Sequence, residues 1–142
     1  MKLPISQAVE LLKQFCAVYT QRDLPALLEM FTQNCNVWGT AEDEYRVGLK
    51  QLEEQFKRDW QQSEHCEIKP VSFVPTSSSA TWGAGICKAL ITIGQVQYVF
   101  EHLRGTVIIE KEKGIWKIAH MHSSFPDYRN LTGKSFPTIK AE

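Results

Sequence analysis

The chain has 142 residues, 43% of them apolar and 23% charged, which suits one globular domain with a real hydrophobic core. Sixteen basic residues offset sixteen acidic ones, interspersed along the chain, so there is no basic footprint for nucleic acid or an anionic membrane surface. No run approaches the roughly 20 apolar residues of a transmembrane helix, and Gln7, Glu10 and Lys13 break the N-terminal stretch where a signal peptide would be unbroken.

The four cysteines, Cys16, Cys35, Cys66 and Cys87, are widely spaced and form no CxxC pair. Without an export signal they read as buried, reduced thiols of a cytoplasmic protein, not as disulfides or zinc ligands.

In chain order, Ser6 is placed to cap a first helix, and Ala8, Leu11, Leu12, Phe15, Cys16 and Tyr19 recur at helical steps. Asp23 caps a second, with Pro25 in its first turn where the missing N–H costs nothing. A short strand, CNVWG, and the loop TAEDEYRVG follow. A third helix runs from Gly48 through Leu49, Leu52, Phe56 and Trp60, with Glu53–Lys57 and Glu54–Arg58 four apart on its solvated face.

After Cys66 the period becomes two. EIKPVSFVP, interrupted by Pro70 and Pro75, reads as an edge or bulged strand. TSSS turns the chain into ATWGAGICKALITI, and Gly94-Gln95 and Lys113-Gly114 are two-residue hairpin turns around VQYVFEHLRGTVIIEK. The last strand is GIWKIAHMHSS. Helices segregated from an antiparallel meander define an α+β fold. A polar, turn-rich tail covers 127–142, and is expected to be mobile or docked on a partner subunit.

Three stretches carry a family resemblance: VWGTAEDEYRVG, RGTVIIEKEKGIWKI and WKIAHMHSSFP. With the order of elements, they resemble the SnoaL-like branch of the nuclear transport factor 2-like superfamily over roughly residues 6–126. The last stretch is also similar to the association domain of calcium/calmodulin-dependent kinase II. The resemblance implies one domain over residues 1–126, with three helical segments on a strongly curved antiparallel sheet forming a cone, a cystatin-like α+β barrel. It also implies a cavity for a small, mostly apolar ligand. Isolated polar groups among alternating aromatic and aliphatic residues suit such a pocket.

Regular alternation on the last strand would turn His120 and His122 to one face with Trp116, Ile118 and Ser124. The pair could bind metal, move a proton or line the cavity wall. A metal would need a third ligand, and only the distant His102 and Glu44 offer one, so no metal or cofactor is expected. Tyr98, Phe100, His102 and Arg104 fall at even spacing on the preceding strand. Arg104 is then either a pocket group matching the arginine of the kinase hub domains or a rim partner of Glu44 or Asp43. Glu44 borders the cavity mouth in the SnoaL-like pattern, and Trp38 reads as core or cavity wall. Ketosteroid isomerases of the superfamily carry a general-base aspartate on the strand after the second helix. Here that strand is Cys35-Asn36-Val37-Trp38-Gly39, which has no carboxylate.

The expected ligand-binding set is thus Trp38, Glu44, Tyr98, His102, Arg104, Trp116, His120 and His122, with His120 and His122 as the candidate catalytic pair. The functions that fit are a small-molecule binding module, an isomerase, dehydratase or cyclase using a histidine, and an oligomerisation hub. A homodimer is expected through the outer sheet face, covering Val99, Leu103, Val107 and Ile109.

Overall fold

Ser6 starts the first helix, α1 (Gln7–Gln21), by accepting a hydrogen bond from the Val9 N–H in a computed structural model that describes residues 6–75 and 80–137. The expected turn at Thr76–Ser79 and residues 138–142 of the tail lie outside the described residues. Helix α1 ends at Arg22, in the left-handed region at φ 59°. Asp23 caps α2 (Leu24–Glu29) through the Ala26 N–H, with Pro25 in the first turn. Strand β1 (Phe31–Trp38) and a three-residue β2 (Tyr45–Val47) lead into α3 (Gly48–Gln61). Four long strands follow: β3 (His65–Val74), β4 (Trp82–Ile93), β5 (Val96–Glu112) and β6 (Ile115–Ser124).

The six strands form one sheet in the order β2-β1-β6-β5-β4-β3. All neighbours are antiparallel except β1 and β6, which run parallel because the chain leaves β1 through β2 and α3 and returns by the meander. The sheet is strongly curved and does not close, and the helices pack inside it to make an α+β cone. Strand β3 lies at the edge, and its register shifts between Pro70 and Ser72, as its prolines require. Gly94 and Gln95, and Lys113 and Gly114, all have positive φ, the geometry of tight hairpin turns that match the twist of the strands.

The core is the interior of the cone. Ala8, Leu11, Leu12, Phe15, Cys16 and Tyr19 of α1 are all buried, as their spacing predicts. Phe15 meets Phe31 edge-on and also contacts Phe56 of α3, so one aromatic group joins both helices to the sheet. All four cysteines are buried with free thiols, and the Sγ atoms of Cys16 and Cys87 lie 3.8 Å apart.

Two bulges overturn the expected alternation of the sheet. In β5, Leu103 pairs with Cys87 but Phe100 pairs with Ala89, so Glu101 and His102 together face Lys88 alone. In β6, His120 pairs with Ile108 but Ile118 pairs with Ile109, leaving Ala119 as the extra residue. Each bulge moves the following side chains to the opposite face. Ile118, Val107 and Ile109 therefore point into the core at 0%, 0% and 2% exposure, while His120, His122 and Arg104 point outward. The outer-face set expected from regular alternation is corrected accordingly: Val107 and Ile109 are core, Leu103 faces inward, and only Val99 remains outside.

This assignment predicts opposite effects for neighbours on β6. Ile118→Ala should cost about 2–5 kcal/mol in urea-induced unfolding, and His122→Ala no more than about 0.5 kcal/mol. Comparable losses for the two would contradict the bulge at Ala119.

Candidate functional site

The interior of the cone holds a cavity of about 300 Å³ at its open end. Its walls are the inward alternates of the sheet, among them Ile68, Ala89, Ile91, Leu103 and Met121, facing Leu12 and Phe15 of α1 and Leu52 and Phe56 of α3. Phe125, just after β6, packs against Phe100 in a tilted arrangement with ring centroids 5.0 Å apart and adds an aromatic group to the lining.

Thr40, Glu44 and Arg46 bring polar groups to this space from the loop and strand after β1, and Ser123 brings one from β6. A further cluster stands between the C-terminal turns of α1 and α3. Gln55 and Phe56 lie three and four residues after Leu52, and Asp59 lies four and three after them, so all four fall on the face of α3 that packs inward. Tyr19 Oη donates to Asp59 Oδ2 at 2.8 Å, and Gln55 Nε2 donates to Asp59 Oδ1 at 2.7 Å. Among the described residues, no lysine or arginine nitrogen lies within ion-pairing distance of that carboxylate. Burial pushes the Asp59 carboxyl above its ordinary 3.8, against the opposing pull of the Tyr19 and Gln55 hydrogen bonds. Burial likewise pushes the Tyr19 hydroxyl well above its ordinary 10, with the nearby Asp59 charge adding to it. A desolvated carboxyl with a raised pKa, set against a hydrogen-bonded tyrosine in an apolar cavity, has the physical character of a proton-transfer group.

The backbone holds this arrangement in place. Arg22 reaches across from the end of α1 and donates to the Trp60 carbonyl at 2.8 Å and to the Ser63 carbonyl at 3.0 Å. Ser63 Oγ in turn donates to the Asp59 carbonyl at 3.1 Å. The two helix ends that carry Tyr19 and Asp59 are thereby tied together.

On the same side of the cavity stands the loop between β1 and β2. Glu44 lines the cavity, its Oε1 accepting from Arg58 Nη2 at 3.2 Å and its Oε2 from the Thr40 N–H at 3.1 Å. Arg58 also grips Asp43, with Nη1 2.8 Å from Oδ2. The expected Glu54–Arg58 pair is thus replaced by contacts from α3 to the loop, while Glu53–Lys57 forms at 3.3 Å. Gly39 completes the corner. A Cβ there would run into the Glu44 carboxylate, so only glycine lets that side chain fold back.

The other expected site residues are dispersed. His120 and His122 lie on the convex face, His120 Nδ1 against Asn36 Oδ1 and His122 beside Trp38. Trp38 is 45% exposed on that face and stacks on Tyr45 at 4.0 Å, so it is not cavity wall. Arg104 is exposed opposite Ile86 and Ser124, and Asp43 and Glu44 pair with Arg58 instead. His102 sits exposed in the β5 bulge. Tyr98 precedes the bulge, opposite Ile91 but half exposed. Trp116 packs against the core beneath Lys111, on the face opposite His120. The cluster of Tyr19, Gln55 and Asp59 is legible in the sequence only as polar residues at inward positions of helices, Gln55 and Asp59 falling on the same face as Leu52 and Phe56.

Residues 9–128 match the family model of the SnoaL-like domain. No curated protein matches the chain. Among solved structures, a proposed scytalone dehydratase from Novosphingobium aromaticivorans superposes with a TM-score of 0.68 at 14% identity, over 96% of this chain and 94% of that one. A proposed calcium/calmodulin-dependent protein kinase II association domain from Xanthomonas campestris gives 0.67 at 17% identity, over 89% and 98%. An LEH-like epoxide hydrolase from M. tuberculosis gives 0.67 at 13% identity, over 85% and 84%. At these identities the likeness is one of fold. Among the described residues no helix is long and apolar enough to cross a membrane.

The raised Asp59 pKa has a consequence for stability. The unfolded chain gives up this proton near 3.8, the folded chain only at higher pH, so Asp59 favours folding at low pH and loses that contribution as pH rises through its folded value. Asp59→Asn removes the ionisation. In urea titrations from about pH 4 to about pH 7, wild type should lose stability relative to Asp59→Asn as pH rises. A gap that stays constant over that range would contradict the desolvated carboxyl.

Proposed function

The chain belongs to the SnoaL-like domain family, and from that premise we propose that it binds a small, mostly apolar organic molecule in the cone. The ligand's polar group meets Tyr19, Gln55 and Asp59, and Asp59 exchanges a proton with it. The supporting observation is the Asp59 carboxyl itself. It is buried without a cationic partner and held by two neutral donors at the polar end of an apolar cavity. A carboxylate left this poorly solvated is a stronger base than in water.

Proton transfer therefore moves from the expected histidines to an aspartate on α3. The solved structures that share the fold include proteins described as a dehydratase and as epoxide hydrolases, but one fold hosts many chemistries. The reaction class is argued from the site: removal of a proton from carbon or oxygen of a neutral substrate.

A suitable probe is 2-tetralone, whose α-carbon proton the Asp59 carboxylate would remove, leaving the enolate to take up a deuteron from the exchanged carboxyl. In D₂O the wild-type protein should accelerate this exchange. The catalysed rate should rise with pH through the raised Asp59 pKa, and Asp59→Asn should reduce it to the buffer rate by NMR. Shifts of cavity resonances without catalysed exchange would leave a binding protein and remove the catalytic part of the proposal. No shifts at all would remove the cavity reading too.

A second reading, a homodimer, rests on the convex face. Trp82, Ile86 and Ile108 are 46%, 38% and 43% exposed there, side by side across β4 and β5 and continuous with Trp38 and Tyr45 across β6. Pairing of two such faces would cover an apolar strip that a lone protomer leaves in water. Light scattering should give a dimer for wild type and a monomer for Ile108→Glu. A monomeric wild type, or a larger ring insensitive to Ile108→Glu, would overturn this reading.

A further inference from the structure

We infer that the ligand of this cavity carries a hydroxyl group whose O–H is read by Gln55. The inference rests on the reading that the cavity holds a small organic molecule. It begins with an unfilled hydrogen-bonding position.

Gln55 is 6% exposed. Its side-chain amide has two ends, and the neighbouring carboxylate decides which faces where. An ionised Asp59 is acceptor-only, so the Nε2 end must turn to it, as the 2.7 Å contact shows. The Oε1 end is left buried without a donor among the described residues, on a side chain that lines the cavity. A buried carbonyl oxygen without a partner is costly, and two of the neighbouring hydroxyl donors are already committed. The Tyr19 hydroxyl is spent on Asp59, and Ser63 Oγ donates to the Asp59 carbonyl.

What fills the position must bring its own donor. Much of the remaining wall, with Leu52, Phe56, Ile91, Leu103 and Met121, is apolar. The charged Glu44 and Arg46 are already engaged with Arg58 and with backbone carbonyls, so a ligand with a full charge is penalised. A neutral alcohol or phenol meets both demands. Its O–H satisfies Oε1, and its oxygen keeps lone pairs that can accept the proton of a protonated Asp59. An ether or a hydrocarbon of the same shape would leave Oε1 unpaired, and sites with a buried polar group discriminate strongly against such analogues.

The test is a matched pair, 2-naphthol and 2-methoxynaphthalene, titrated into the full chain with NMR and calorimetric detection. The added methyl makes the ether the more hydrophobic partner, so burial alone favours it. Wild type should nevertheless bind 2-naphthol about five- to tenfold more tightly, the effect of one neutral hydrogen bond. Gln55→Met, which keeps side-chain length and removes the amide, should bring 2-naphthol down to the affinity of the ether and leave the ether unchanged. The wild-type comparison needs no variant, so it stands even if Gln55→Met does not fold. If both probes bind and the ether is equal or tighter, the cavity reading survives and the hydroxyl inference falls. If the preference for 2-naphthol persists in Gln55→Met, another group reads the hydroxyl and the inference also falls. If neither probe binds, the cavity reading fails first and takes the inference with it.

Discussion

Each side chain of this sheet has its position decided by where the alternation slips. A β-strand has a period of two and no memory, so one extra residue reverses the assignment of every side chain that follows. The bulges at Glu101–His102 and at Ala119 sit on adjacent, paired strands. Together they keep Leu103, Val107 and Ile109 of β5 and Ile118 and Met121 of β6 on the same inner face, although no single parity connects Leu103 to Tyr98 or Met121 to Ile118 through the chain. Bulges also sharpen local twist and bend, which a sheet needs if it is to curl around two helices instead of lying flat. The inversion that chooses the cavity lining therefore comes from the same kind of insertion that helps a sheet to curve.

The second constraint is the burial of Asp59. Placing a carboxyl on the inward face of α3 costs solvation, and the fold offsets only part of it with the Tyr19 hydroxyl and the Gln55 amide. A cation would have offset more. One is close in sequence, but Arg58 is turned away to Asp43 and Glu44 of the loop between β1 and β2. The result is a loop fastened to α3 and a carboxyl kept free of ion pairing one residue later. An aspartate paired with arginine would be a fixed charge with a low pKa and poor basicity. Separating the two neighbours is therefore what leaves Asp59 able to gain and lose a proton.

Much of the architecture was legible because helices and hairpin turns are local. Ser6, Asp23, Pro25 and the two hairpin dipeptides act within a few residues of themselves, and the apolar stripe of α1 is buried as its spacing requires. The order of elements then sufficed for the α+β cone. Strand β2, with three residues, was too short to leave a pattern, and polar Thr32-Gln33-Asn34 hid the first half of β1. The site was far less legible. The histidines and Arg104 lie in strands, where a functional reading depends on unbroken alternation, and a bulge leaves no local mark in composition. The informative signal was a contradiction on a helix, with Gln55 and Asp59 at positions whose neighbours Leu52 and Phe56 are core. That pattern holds because a helix face does not invert when a strand elsewhere slips.

The two helix ends show why the polar cluster lies where it does. Tyr19 belongs to the last turn of α1 and Asp59 to the last turn of α3, so a small change in either helix would separate them. The chain holds both ends with groups that have no other task. Arg22, in the left-handed conformation that stops α1, spans to the Trp60 carbonyl in the last turn of α3 and to the Ser63 carbonyl just beyond that helix. Thr20 Oγ1 accepts from the Ile68 N–H at 3.0 Å and so fixes the same turn of α1 to β3. Helix termination, usually a loss of hydrogen bonds, is here the means of fastening one element to another. The Tyr19–Asp59 contact inherits that rigidity, because side chains carried on regular helices keep their geometry better than side chains carried on loops.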